Sequence, residues 1–188
     1  MRLETFVPWE RKRSTLIWRG ATTGTGLRRE FVHRLSRHSR RDIDVRFHAY
    51  VNGRWSWLCA NSQRRCGRSC CPTHLATELT RPELLRHKYL LSIEGNDVAS
   101  NLKWLLGHNS VVVLPPPTIE SWLLEGLLKP YVHYVPVYNA SDVPRALDWM
   151  RGHDLECQRI IANANAWVER IVRDSDSEAI ELLRKVRF

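Results

Sequence analysis

The chain has 188 residues, 43% hydrophobic and 26% charged, which fits one domain with an ordinary core and excludes a disordered protein. No apolar run approaches the roughly 20 residues a membrane-crossing helix needs, and Met1–Trp9 lacks a signal-peptide layout, so the chain reads as cytoplasmic. The net charge of +9, with six Arg against one Glu between Arg28 and Arg41, points to an anionic partner such as nucleic acid, a nucleotide sugar or an acidic membrane surface; a solvated helix face accounts for it equally well.

Residues 1–13 read as a lead-in, and Ser14–Trp18 as a first strand. The loop Arg19-Gly20-Ala21-Thr22-Thr23-Gly24-Thr25-Gly26 follows, then a helix with Leu27, Phe31 and Leu35 on one face. A strand, a Gly/Thr-rich loop and a helix start make a phosphate cradle. Glycines let the backbone come close, N–H groups at the helix start point outward, and the dipole favours an anion. Arg19 and Arg28 flank the loop. It is neither a Walker loop nor a GxGxxG fingerprint, and a plain βα turn explains it as well.

Asp44–Val51 alternates as a second strand and Asn52-Gly53 marks a turn. Arg54–Thr73 is irregular, rich in Arg and Cys, with Trp55 and Trp57. Cys59, Cys66, Cys70, Cys71 and His74 match no paired zinc-ligand spacing, so the reading is a loop of reduced thiols. Thr80-Arg81-Pro82-Glu83 has the form of a capping box opening a short helix to Arg86.

The chain is organised around His87–Val137. Three apolar runs, Tyr89–Ile93, Ser110–Leu114 and Val132–Val137, alternate with two segments of helical period, Val98–Leu106 capped by Asp97, and a helix from Thr118 to Lys129 carrying Glu120, Trp122 and Glu125. This β-α-β-α-β order predicts an α/β fold: a Rossmann-like parallel sheet with flanking helices and a helical C-terminus. The turn Glu94-Gly95-Asn96-Asp97 falls at the carboxyl edge of a strand, where open α/β sheets bind ligands. A helix from Ser141 or Asp142 to Arg151, an apolar stripe from Cys157 to Ile171, and a separate amphipathic helix Ser175–Val186 complete the chain. With no internal boundary, residues 1–188 form a single domain, the helical tail 141–188 packing back on it.

The block Lys88-Tyr89-Leu90, Glu94-Gly95-Asn96-Asp97-Val98-Ala99-Ser100-Asn101-Leu102-Lys103-Trp104, Asn109-Ser110-Val111-Val112, Glu120-Ser121-Trp122 and Leu128-Lys129-Pro130-Tyr131-Val132-His133-Tyr134-Val135-Pro136-Val137 resembles the CAP10 family, glycosyltransferase family 90. Upstream, Trp18-Arg19-Gly20-Ala21-Thr22-Thr23-Gly24 with Arg28 is similar to the family's Arg-Gly-Ser/Thr donor loop. The resemblance runs from about Trp9 to Val137.

It implies one half of a GT-B-type enzyme that transfers a sugar from a UDP-sugar, with inversion, to a polysaccharide or lipopolysaccharide-type acceptor. Carried over by motif, Arg19, Gly20, Thr22 and Thr23 hold the diphosphate and Arg28 supports the loop. Glu94, Gly95, Asn96, Asp97 and Ser100 line the donor cleft, Lys103 falls on a basic position, and Glu120 approximates an acidic one. Asn101 stands where many members carry Arg. The family commonly works without a bound metal, so neither cofactor nor metal is expected beyond the UDP-sugar and a glycan or lipid-linked acceptor. The family's N-terminal half, which supplies the acceptor side and the general base, is not represented; the expectation is a donor half, with the base unassigned and a partner chain as one source of the rest. Two other readings stay open. One is a non-catalytic remnant that binds nucleotide or docks a partner. The other is a basic nucleic-acid-binding protein, for which no helix-turn-helix, zinc-finger or RNP pattern speaks.

Overall fold

The structure is a computed structural model that describes residues 7–24, 26–49 and 76–185. The Arg- and Cys-rich stretch 54–73, His74 and the turn at Asn52-Gly53 lie outside the described residues. Cys157 is the one described cysteine, and it is buried.

Five parallel strands form the sheet: β1 (Arg13–Ala21), β2 (Ile43–Ala49), β3 (His87–Leu91), β4 (Val111–Leu114) and β5 (Val135–Pro136), in the order β2-β1-β3-β4-β5. The described helices are α1 (Gly26–Leu35), α2 (Arg81–Leu84), α3 (Leu102–Leu106), α4 (Val143–Gly152) and α5 (Asp154–Lys185). β1 first pairs with β2 on one side, and the chain then returns to place β3 on the other. That reversal makes the gap between β1 and β3 the topological switch point, where a crevice opens outside the carboxyl ends.

Side chains alternate across each strand, so the apolar runs fill two cores at once. Leu16, Trp18, Val45, Phe47, Tyr89, Leu91, Val111 and Val113 face one layer, against Phe31, Val32 and Leu35 of α1, Val143, Leu147 and Met150 of α4, and Cys157 and Ile160 of α5. Ile17, Leu90, Val112 and Leu114 face the other, against Leu102, Leu105 and Leu106 of α3 and Ala164, Trp167 and Ile171 of α5. β3 and β4 are buried at every position. Truncating one of their side chains, as in Leu90→Ala, is worth about 2–5 kcal/mol.

The Rossmann-like parallel sheet expected from the apolar runs is present, but several boundaries differ. β1 continues through Arg19-Gly20-Ala21, which the sequence reading had assigned to the loop. α3 begins at Leu102 rather than Val98, because Asp97 caps itself through Val98 N–H (2.8 Å), Gly95 N–H bonds Asp97 O (2.9 Å), and the Ser92 hydroxyl reaches Asn101 Oδ1 (2.9 Å). These local bonds hold residues 96–101 in turns. The helix expected over Thr118–Lys129 is instead a loop with one 3₁₀ turn, Glu125–Leu127. There, acidic side chains take the backbone donors a helix would use: Glu125 accepts from Ser121 N–H and hydroxyl (both 2.7 Å), and Glu120 from Gly126 N–H (3.2 Å).

β5 is two residues long, not Val132–Val137. His133 N–H bonds Lys129 O (2.9 Å), its Nδ1 accepts from Lys129 N–H (2.9 Å), and Tyr131 takes φ +58°, which curls residues 129–134 into a turn. The last two expected helices are one helix, α5. The Ser/Asp cluster 174–177 reads as a helix start, but it holds no Gly or Pro and costs little inside a helix. The capping box at Thr80 forms as expected, Glu83 accepting from Thr80 N–H at 2.8 Å. No helix among the described residues is long and apolar enough to cross a membrane.

Candidate donor-binding site

The crevice between β1 and β3 is built from two loops pressed together. Gly24 has φ +104°, and a Cβ there would stand 2.7 Å from the Gly95 Cα. Gly24 N–H donates to Asn96 Oδ1 at 2.8 Å. A Cβ on Gly95 would lie 2.8 Å from Nη2 of Arg28, so both glycines are needed for the close approach. Gly20 answers to a different neighbour: the buried Trp18 indole folds over it and fills the place a Cβ would take.

Arg28, in the first turn of α1, ties the two loops. Its guanidinium donates to Ile93 O (2.7 Å), Glu94 O (3.1 Å), the Thr23 hydroxyl (3.0 Å) and Ala21 O (3.5 Å), and it lies over the Trp18 ring at 5.6 Å. Burial pulls its pKa down to about 10, which leaves it charged at neutral pH. None of its described hydrogen-bond partners is a carboxylate, so its positive charge is not neutralised by a direct pair among the described residues. Beside it, α1 starts at Gly26, where nothing lies within 4 Å of a would-be side chain. An open helix start next to a guanidinium that forms no carboxylate pair among the described residues suits an anion.

A third loop joins from β4. Glu94 accepts from Thr118 N–H (2.7 Å), Ile119 N–H (3.0 Å) and the Thr118 hydroxyl, which fixes Pro115–Ile119 against the end of β3.

The family profile for "Glycosyl transferase family 90" matches residues 2–177. The chain belongs to glycosyl transferase family 90. It is 30% identical over 168 residues to the O-glucosyltransferase LpsA of Dichelobacter nodosus, covering 89% of this chain and 46% of LpsA. It is 28% identical over 210 residues to the uncharacterized protein 027R of Frog virus 3, covering 96% of this chain and 20% of that one. Protein O-glucosyltransferase 2 of Danio rerio is 30% identical over 79 residues, 42% of this chain and 16% of that protein. The chain thus spans less than half the length of these curated relatives. Among solved structures, the C-terminal domain of the glycosyl transferase group 1 family protein LpcC from Francisella tularensis superposes with a TM-score of 0.51 at 8% identity, covering 86% of this chain and 87% of that domain. That likeness is one of fold: a glycosyltransferase C-terminal domain.

Of the residues the sequence singles out, the family 90 crevice brings together Thr23, Arg28, Glu94, Gly95 and Asn96, with Gly20 packed beneath Trp18 and Thr22 half-buried beside Thr23. Asp97 and Ser100 sit on the exposed turn just beyond.

Three residues lie elsewhere. Because β1 extends through Ala21, Arg19 points to the opposite face from Trp18 and Gly20. Its guanidinium there forms a two-pronged pair with Asp44 (2.6 and 3.1 Å) and bonds Thr77 O and Trp18 O. Lys103 stacks its ammonium over Trp122 at 5.0 Å. Glu120 is spent on Gly126 N–H.

Two features stand outside the site residues that the sequence singles out. Gly24 decides the loop contact, and its signal was the glycine spacing. Asp42-Ile43-Asp44 is an Asp-x-Asp triplet, but it lies at the amino end of β2. Arg40 and Arg151 bind Asp42, while Arg19 and Arg46 bind Asp44. The pairing with Arg40 holds the Asp42 carboxyl below its usual range.

Proposed function

We propose that this chain is the donor-binding half of an inverting family 90 glycosyltransferase that holds a UDP-sugar at the β1–β3 crevice, without a metal, for transfer to a glycan or lipid-linked acceptor. The observation that carries it is Arg28, charged, central to both loops and bonded to no described carboxylate. The diphosphate lies over Thr22–Gly24 and the start of α1, and the Arg28 charge together with the helix start stabilises the charge that grows on the leaving UDP. Arg28, Gly24, Gly95 and Asn96 preorganise the loops. Asp97 and Ser100 border the sugar side. Arg19 supports β1 from the other face, and Lys103 and Glu120 shape the neighbouring loop through Trp122 and Gly126.

A second reading has its own support. An inverting transfer needs a base to deprotonate the acceptor hydroxyl. The two carboxylates best placed in the sequence to act as a base, Asp97 and Glu120, are engaged with backbone donors, Asp97 with Val98 and Glu120 with Gly126, and so is the neighbouring Glu94, with Thr118 and Ile119. The chain on its own then binds the donor without turning it over, and residues outside the described set, or a partner chain, supply the base.

Calorimetric titration with UDP and UDP-glucose, in EDTA and then with magnesium, tests both. Saturable binding in EDTA that weakens at least about tenfold in Arg28→Ala supports the site. No binding in either buffer removes it. Donor hydrolysis or transfer by the chain alone removes the second reading.

A further inference from the structure

Eight large apolar side chains are well exposed among the described residues, and six of them fall between Trp122 and Tyr138. Two of the six, Tyr131 and Tyr138, share one patch of surface. Within it, a cavity of about 430 Å³ opens beside β5, lined by Tyr131, Pro136, Tyr138, Asp142, Arg145 and Trp149. That volume is in the range of small-molecule sites, which are mostly apolar with a few fixed polar groups.

The lining has two parts. Tyr131 and Trp149 form a corner, their ring centroids 5.1 Å apart at 72°. Tyr138 stands beside them, 67% exposed. The polar rim comes from the start of α4. Asp142 is anchored by Tyr138 N–H (2.9 Å) and Asn139 N–H (3.1 Å), both on Oδ2. Among the described residues its Oδ1 has only a loose approach from Arg145 at 3.9 Å, and the Arg145 side chain is 88% exposed.

Tyr131 carries the sharper signal. Its φ of +58° is a conformation that side chains larger than Asn or Gly rarely adopt. The turn holds it there through Tyr131 N–H to Tyr134 O (2.8 Å) and the Pro130–Tyr134 bridge. Yet the residue is 56% exposed and belongs to neither core cluster. Glycine would relieve the backbone and give up only the contact with Trp149. An exposed aromatic kept on a strained backbone serves something outside the chain.

We propose that this cavity is a pyranose-binding subsite that seats one sugar of the acceptor glycan. A pyranose has a face of C–H bonds and a rim of hydroxyls. The aromatic corner takes the face. Asp142 Oδ1 accepts from one hydroxyl and Arg145 donates to another. A purely apolar occupant would strip water from Asp142 and Arg145 without replacing it. An anion gains nothing from a rim whose two charges cancel. Tyr138 leaves β5 at the same carboxyl edge as Glu94 leaves β3, two strands away or roughly 10 Å. A glycan held here lies within reach of that edge of the sheet. The word acceptor rests on the transferase reading; the sugar site does not.

The test is calorimetric titration of the chain with maltotriose, isomaltotriose and cellotriose, each beside a UDP titration. At least one trisaccharide is expected to bind saturably. Tyr138→Ala and Arg145→Ala, both surface changes, should weaken it at least about fivefold and leave UDP binding unchanged. Tyr131→Gly should weaken sugar binding while holding or raising the melting temperature, a split that a merely structural tyrosine would not give. Absence of saturable trisaccharide binding overturns the proposal whatever UDP does, and so does binding that all three variants leave intact. Sugar binding without UDP binding upholds the subsite and removes the donor reading instead. Light scattering supplies the last arm: a dimer that Tyr138→Ala converts to a monomer makes this face a contact between copies and overturns the sugar site.

Discussion

Gly24 and Gly95 meet backbone to backbone, with 2.7 Å between a Cβ built on Gly24 and the Gly95 Cα. The contact joins the end of β1 to the end of β3 and sets the shape of the crevice. Gly24→Ala adds a methyl where there is no room, on a φ of +104° that alanine disfavours. The expected loss of stability is about 1–3 kcal/mol by urea denaturation. UDP affinity should fall further than the folded fraction does, because the loops are forced apart. Gly26→Ala, two residues on and facing open space, is the control, expected to be neutral or slightly stabilising. Equal effects at the two positions would show that the contact does not shape the site.

Arg19 separates the motif from the geometry. As the arginine of a donor loop it should bind phosphate; in the fold its guanidinium is almost wholly enclosed and paired with Asp44. Arg19→Ala is therefore expected to cost about 1–3 kcal/mol of stability, since Asp44 keeps Arg46 as a second partner. UDP affinity, measured where the variant is fully folded, should stay within about twofold, as befits a side chain with no shared partner in the crevice. A tenfold or greater loss of affinity in folded protein would restore Arg19 to the diphosphate.

How much was legible follows from the range of the interactions. The strands β3 and β4 were readable because a parallel strand buried on both faces is a continuous apolar run, as Tyr89–Ile93 and Ser110–Leu114 are. Thr80–Glu83 was readable because a capping box is local. Most crevice residues came from a motif whose loops do converge. What sequence could not show was the choice between competing local bonds. Glu120 and Glu125 lie in a stretch that reads as a helix, yet Glu120 takes the N–H of Gly126 and Glu125 that of Ser121, and a loop replaces the helix. Arg19 was misplaced for a related reason: three more residues of strand reverse which face a side chain takes, and nothing in Arg-Gly-Ala announces where pairing stops.

Glu94 tests the third loop. Its carboxylate gathers three donors from Thr118 and Ile119. Glu94→Gln turns an acceptor into an amide that cannot receive all three, while keeping size. The expected result is faster hydrogen exchange at the Thr118 and Ile119 amides, by roughly tenfold, with a global stability change of about 1 kcal/mol. Exchange that is uniform across the chain would mean that Glu94 holds no loop of its own.

His87 gives the pH dependence. The ring is buried at the start of β3 and shares a hydrogen bond with the Thr15 hydroxyl. Burial first, then Arg13, Arg19 and Lys12, push its pKa down to about 4, with Asp44 opposing. The unfolded chain, with a histidine near 6.5, takes up the proton first as pH falls. Stability is therefore complete above about pH 6.5 and is lost between there and pH 4, by roughly 3 kcal/mol in full. Lys12 does not enter this window, because burial leaves its pKa at about 8. The carboxylates of Asp42 and Asp148, held low by Arg40, act at the acid end in any variant. The comparison of wild type with His87→Gln cancels them. Urea midpoints from pH 7 to pH 4 should fall less steeply in the variant, and parallel slopes would show that His87 is protonated as readily in the fold as in the open chain.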